Sequence, residues 1–375
     1  MKHENAGQIL DLARWAPSGD NTQPWRFEVR SADHIVVHAF DTRHHCLYDF
    51  GGQASQLSVG ALLETVRIAA STVGQAARIT RRDGESDELP VFDVRLQPAE
   101  AGAAADPLHA AIRARAVQRK PLSTRRIGAK DKASLAASLG PSHRVLWFET
   151  RTARLRWAWL AARSAKIRLT IPEAYIVHRN VIAWGERYSD DRIPDQALGA
   201  SALSLRSMRW ALASWRRVRR MNRYFGGTLA PRLELDLIPG IRCGAHFAIV
   251  SAHPPAGVDD HVAAGAAVQR FWLTATRLGL QLQPQYTPLV FAAYARQRVA
   301  FTADPAATTR ANEVRAALEH LLGAQAAAAA VFLGRIGHGP AATSRSLRLS
   351  LDQLQWSPEA MAAISEAAPR RPDLG

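Results

Sequence analysis

Apolar residues recur at helical spacing over residues 6–15, and the alternation in "WRFEVR" and "HIVVHAF" predicts strands near 25–30 and 34–39. A long, sparsely charged stretch from about Ala54 to Val73 predicts a buried helix, and "VFDVRLQP" another strand. The run "AEAGAAADP" is small, flexible and closed by proline, which marks a boundary between lobes. Beyond it the pattern predicts a basic helix near 107–116, a helix at 130–138, a strand at 143–149 and a helix at about 151–167. Further strands are expected at "GAHFAIVSA" and "AAVFLGRIG".

Two of the predicted helical stretches resemble each other. "GALLETVRIAASTVG" and "GAAVQRFWLTATRLG" share one spacing, Gly60 to Gly74 and Gly265 to Gly279. Ala61 then matches Ala266, Val66 matches Phe271, Ile68 matches Leu273 and Ala70 matches Ala275. Small residues near the start suit close helix contact. With strands around each helix, the expectation is an α+β chain of two pseudo-symmetric lobes, each a mixed or antiparallel sheet flanked by helices. Residues 1–100 form the first lobe, 101–355 the second with an inserted segment at about 170–240, and 356–375 a tail.

"SALSLRSMRWALASWRRVRRMNRYFGG" reads as one amphipathic helix ending at Gly226-Gly227. Leu205, Met208, Leu212, Trp215 and Val218 recur at helical spacing, and Arg206, Arg209, Arg216, Arg217 and Arg220 fill the remainder. It covers the second lobe, or forms a lid over a pocket, or contacts nucleic acid or a membrane.

Composition narrows the class. The 375 residues carry a formal net charge of +15, much of it arginine, which favours planar, two-pronged recognition of phosphate or carboxylate. No apolar run reaches bilayer-spanning length and "MKHENAGQIL" lacks the architecture of a secretory signal, so a cytoplasmic protein with no membrane partner is expected. Cys46 and Cys243 are too few for a disulfide framework. The adjacent His44, His45 and Cys46 point to alternate faces of an extended segment, so no metal site is expected. "GRIGHG" has the wrong spacing for a dinucleotide-binding turn.

One stretch carries a sharper signal. "ARWAPSGDNTQPWRFEV" resembles the early segment of the nitroreductase superfamily of FMN enzymes, with Pro17, Ser18, Asn21, Gln23, Pro24 and Trp25 in the same order and spacing. The resemblance implies a nitroreductase-like fold with FMN between two halves. Pro17 would cover the isoalloxazine ring, and Ser18, Asn21 and Gln23 would lie at its hydrogen-bonding edge. In that family an arginine-rich motif at the start of one subunit grips the phosphate and the Pro-Ser turn comes from the other. Here "AIRARAVQRKPLSTRR" opens the second lobe, and Arg115 and Arg119, with Arg113 nearby, resemble that motif, which implies Arg115 on the phosphate and Arg119 on the phosphate or at the flavin's N1/O2 edge. Val117 replaces the usual hydroxyl residue, which shifts weight to Gln118 and backbone amides.

The same resemblance assigns Gln285, Tyr286 and Thr287 as candidates for the backbone N–H that meets flavin N5. It also assigns Arg348, then Arg345, as the basic residue returning to the phosphate. It implies a pseudo-dimer within one chain, holding one FMN and exchanging two electrons with a small organic substrate. The resemblance leaves the electron donor open, with NAD(P)H as a candidate transient donor, and implies no side chain acting as a catalytic nucleophile. Two alternatives stand beside it, a protein that sequesters flavin without turnover and a basic nucleic-acid-binding protein, the weaker of the two.

Overall fold

The structure, a computed structural model, describes residues 4–367; part of the expected tail, 368–375, lies outside the described residues. The chain is α+β, with antiparallel sheets and helices. The first part of the chain runs α1 (Glu4–Ala13), β1 (Trp25–Ser31), β2 (His34–Ala39), α2 (Gln53–Ser71), β3 (Gln75–Arg81) and β4 (Val91–Pro98). Its sheet order is β1-β2-β4-β3, antiparallel throughout.

The second part begins with α3 (Ala129–Ala137) and β5 (His143–Phe148). A helical excursion follows: α4 (Arg151–Arg168), α5 (Pro172–Val181), α6 (Ala202–Leu212) and α7 (Trp215–Tyr224). The chain returns through β6 (Ala245–Ser251), α8 (Val258–Arg277), β7 (Gln281–Pro284), α9 (Thr287–Gln297), α10 (Pro305–Leu322) and β8 (Ala330–Gly337). Its antiparallel sheet has the order β7-β8-β6-β5. In both sheets, then, the strands taken in chain order lie one-two-four-three, with the long helix between the second and third.

Those helices, α2 and α8, cross through their glycines. A Cβ on Gly60 would lie 2.0 Å from the carbonyl oxygen of Val262, and one on Gly265 would lie 2.0 Å from that of Leu57. Only hydrogen fits at either place. Around the crossing, Gln269 donates to the Thr65 hydroxyl at 2.9 Å. Outward, Val59, Leu62, Leu63 and Val66 join Trp25, Ile35, Val37 and Val94 in the first sheet's core. On the other side Phe271, Trp272 and Ala275 join Phe247, Ile249 and Phe332. α2 is buried almost all round because it packs against both a sheet and a helix.

Four local expectations change. Residues 107–116 are not a helix: a short 3-10 turn, Pro107–Ala111, is capped by Asp106, a further turn closes with Arg115 N–H on Ala111 O, and Val117 then bridges Leu282 at the sheet edge. Pairing with an open edge wins over helical spacing. The 201–227 segment is two helices, because Ser214 is extended (φ −155°, ψ 147°) and its hydroxyl caps α7 through Arg217 N–H. β3 was not expected from the sequence, since in "QAARITR" neither alternating set, Gln75, Ala77, Ile79, Arg81 or Ala76, Arg78, Thr80, makes a continuous apolar face. The segment inserted between β5 and β6 starts before residue 170, with α4.

Late in the chain, residues 344–356 return to the first part. Phe27 N–H donates to Leu354 O and Trp356 N–H to Phe27 O, both at 2.8 Å, and Trp356 stacks on His38. On the way Arg345–Ser346 pairs in parallel with Tyr188–Ser189.

Candidate functional site

A cavity of about 620 Å³ lies between the two sheets' helices, walled by α2, α8, the 16–21 turn, the 115–119 stretch, the start of α9, and α6–α7. The turn is strained: Asp20, Asn21 and Gln23 have φ of 50°, 63° and 48°, a region that side chains other than glycine seldom adopt. Its polar side chains hold it there. Ser18 Oγ accepts from Gln23 N–H at 3.0 Å, and Gln23 and Asn21 both donate to Asp190 O, at 2.8 and 2.9 Å. Arg348 donates to Asn21 Oδ1 and to Ala16 O, each at 2.9 Å, and Leu349 N–H donates to Gln23 Oε1 at 2.9 Å. The density of small polar residues between α1 and β1 is thus a clasp that ties the turn to two distant segments. Trp25, fully buried, anchors its far end.

That bonding redistributes the expected roles. Asn21's amide is engaged on both atoms by protein groups, and Gln23 does not line the cavity. Pro17 and Ser18 do line it, and Ser18's hydroxyl hydrogen is free to donate.

Three guanidinium groups meet at one end. Arg115 and Arg348 are buried, at 3% and 7% exposure, and Arg345 is partly so. Arg115 donates to Trp15 O at 2.9 Å and lies 4.7 Å from the Trp272 ring centroid. Arg345 donates to Arg113 O at 2.7 Å and lies 5.2 Å from the Trp15 ring centroid. Burial holds all three below the ordinary arginine range, and their mutual repulsion lowers Arg115 and Arg348 further, the latter to about 9. Among the described residues none of the three has a carboxylate partner, and the Nε of Arg115 and of Arg345 is buried without any acceptor. Burying a cation costs several kcal/mol unless an anion compensates it. An anion at this end of the cavity would therefore be compensated by these three arginines.

Arg119 sits elsewhere. It donates to Ala197 O at 3.1 Å, and its charged neighbours are Asp20 and Arg168. Arg113 is exposed and paired with Asp11, and Gln118 donates to Pro340 O at 2.8 Å; neither lines the cavity. Gln285 N–H donates to Leu333 O at 2.8 Å, and its side chain meets the buried His246 at 2.8 Å. Gln285 lines the cavity too, as do Tyr286 and Thr287, which head α9, where N–H groups lack intrahelical acceptors.

The opposite wall holds residues that no local pattern marked. Tyr48 and His178 share a hydrogen bond at 2.9 Å, and Arg168 pairs with Asp236 at 3.4 Å. Desolvation raises the carboxyl pKa of Asp20 and of Asp236 against the pull of Arg168. Burial, then Arg168, pushes His178 down to about 3, so its ring is neutral. Tyr48 and His178 lie far apart in sequence, and only Asp20 belongs to a recognisable motif.

No family model matches the chain. Over 93 residues, 24% of this chain and 27% of the relative, it is 33% identical to a Mycobacterium tuberculosis protein named "Putative NAD(P)H nitroreductase acg". Over 87 residues, 22% of this chain and 25% of the relative, it is 37% identical to an uncharacterized protein of the same species. The chain thus spans about a quarter of the length of the curated relatives it matches.

Proposed function

We propose that the chain is an FMN-dependent oxidoreductase of the nitroreductase superfamily, holding one FMN between two lobes of a fused duplication. The observation that carries this reading is the trio Arg115, Arg345 and Arg348, short of an anion, in the same cavity as Pro17, Ser18, Tyr286 and Thr287. The donor set fits the cofactor. Arg115, Arg345 and Arg348 would hold the phosphate by charge-assisted hydrogen bonds, and Ser18 and the Tyr286–Thr287 N–H groups would meet polar edges of the ring. Arg119 would favour negative charge at the ring's far side. Bound FMN supplies two-electron transfer at N5. The protein's own work is to position a small organic substrate, exclude water and bias charge.

The duplication rests on three observations. The two sheets share their strand order, their long helices share a spacing, and the helices' contacts are reciprocal: Gly60 on Val262, Gly265 on Leu57. A second cavity of about 520 Å³ is lined by Val262, Ala263 and Ala266, which correspond in that repeat to Leu57, Ser58 and Ala61 of the first. It also holds Pro141 and Ser142 directly before β5, a shortened counterpart of Pro17 and Ser18. Its arginines have acidic partners, Arg67 and Arg270 with Glu64 and Arg81 with Asp259, so no cation is left for a phosphate. On this reading residues 1–100 and 101–355 are the two lobes, with residues 350–356 crossing back to pair with β1 of the first.

The test is the visible spectrum of the purified protein, with mass identification of what heat releases. FMN, bleached anaerobically by NAD(P)H, is expected. Colourless protein that FMN cannot reconstitute refutes the reading. A second reading, flavin sequestration, has the cap in its favour: Met208, Leu212 and Met221 of α6 and α7 line the cavity. Flavin that resists both nicotinamide donors and dithionite would select it.

A further inference from the structure

We propose that the cap formed by α6, α7 and the loop after them docks on an anionic lipid surface, with the mouth of the cavity facing the lipid. No acidic residue occurs between Asp195 and Glu234, a stretch that carries eight arginines. None of residues 196–238 is buried, so the cap has no core of its own. Among the described residues no carboxylate pairs with Arg206, Arg209, Arg216, Arg219, Arg220 or Arg223. The cap is therefore a dense, uncompensated positive field, and a second copy of the same face would be repelled by it.

The apolar residues say which anionic partner fits. Leu203 and Phe225 are 74% and 73% exposed, yet both also line the cavity, which puts them at its mouth. Leu229, Tyr224 and Trp210 of the same cap are exposed as well, and Arg217 and Arg223 stack on Trp210 and Tyr224. Aliphatic side chains find partners in the acyl boundary of a bilayer and none in bases or phosphates, whereas Trp, Tyr and Arg suit the headgroup layer. No helix among the described residues is long and apolar enough to cross a membrane, so the contact is peripheral. If the oxidoreductase reading holds, the substrate reaching the cavity through this mouth is lipid-soluble; the docking itself does not depend on that reading.

The experiment is co-sedimentation of the full chain with vesicles of phosphatidylcholine mixed with phosphatidylglycerol, and with phosphatidylcholine alone. Binding to the anionic vesicles only is expected, weakening from about 0.1 M to about 1 M salt as the screening length falls from about 10 Å to about 3 Å. Each arginine near such a surface contributes roughly a five-fold factor, so R216Q/R219Q/R220Q lowers the partition by about a hundredfold. F225S/L229S removes the part that survives high salt. Circular dichroism checks that both variants keep the fold. Equal binding to the two vesicle types, wild-type partition by the arginine variant, no sedimentation at all, or tighter binding to an RNA or DNA oligonucleotide overturns the proposal. Flavin content plays no part in these readings, so the cofactor assignment stands or falls separately.

Discussion

Arg348 donates to Asn21 Oδ1 at 2.9 Å, joining the segment that follows β8 to the turn that precedes β1. The contact closes a circuit: Asn21 also donates to Asp190 O, on the segment that pairs with residues 345–346. Asparagine suits the place twice, since it tolerates the left-handed φ of 63° and offers both a donor and an acceptor. Asn21→Ala is expected to lower stability by about 1–3 kcal/mol, because Arg348 and the Asp190 carbonyl lose a buried partner. Urea denaturation measures it, and an unchanged midpoint would show that the clasp contributes nothing.

The arginine trio gives the test of the anion end. Arg115→Ala is expected to weaken FMN retention roughly 10- to 100-fold, the factor for losing a charge-assisted hydrogen bond. Arg113→Ala, at an exposed side chain paired with Asp11, is expected to leave retention within about two-fold. Equal losses in the two variants, read from absorbance after gel filtration, would remove Arg115 from the phosphate site.

At the crossing of α2 and α8 the expected cost is steric. Gly265→Ala places a methyl against the backbone oxygen of Leu57, which cannot swing aside, so the helices must separate and stability falls by about 1–3 kcal/mol or more. Gly74→Ala meets nothing within 4 Å and costs only the left-handed backbone, φ +67°, about 1–2 kcal/mol. Thermal melts of the two variants compare the costs; a Tm for Gly265→Ala above that of Gly74→Ala would contradict the close approach.

How much of this was legible follows from what each signal depends on. β1 and β4 were readable because burial of one face sets an alternation, and β2 and α2 because they are apolar on nearly every side, properties each segment carries alone. The stretch 107–116 misled because "HAAIRARA" has helical spacing, while its fate is decided by an open sheet edge that exists only once β7 is in place. Asp20 lay in plain view inside the turn, but its carboxyl acquires a role only beside Arg119 and Arg168, which arrive from two other segments. Tyr48 and His178 had no local mark at all. The internal repeat of glycines was visible as a spacing, and what it positions, one helix against its counterpart, needed coordinates.

His178 supplies a pH prediction. Its folded pKa, about 3, lies below the ordinary 6.5, so below about pH 6.5 the unfolded chain binds a proton that the folded chain does not. Stability is then highest above that pH and falls as acid is added, by up to about 1.4 kcal/mol per unit, until the folded ring itself protonates near pH 3. Asp20 and Asp236 titrate with the opposite sign, so the comparison is between the wild type and His178→Gln, which keeps a hydrogen-bonding group toward Tyr48. The variant is expected to lose part of the slope between pH 6.5 and 4 in urea midpoints. Parallel curves would mean that the ring is not held neutral.

Two cavities lie against the crossed helices α2 and α8. Both are walled by equivalent positions of α2 and α8, but the first brings together Arg115, Arg345 and Arg348 without acids, whereas the second neutralises Arg67, Arg81 and Arg270 with Glu64, Asp106 and Asp259. A phosphate entering the second would have to displace those carboxylates and face their charge. Reconstitution with excess FMN is therefore expected to stop at one flavin per chain, read from the ratio of flavin to protein absorbance. Glu64→Gln, which frees Arg67 and Arg270 from their shared carboxylate, tests whether the acids set that limit. Two flavins per wild-type chain would mean that the unpaired arginines are not what selects the site.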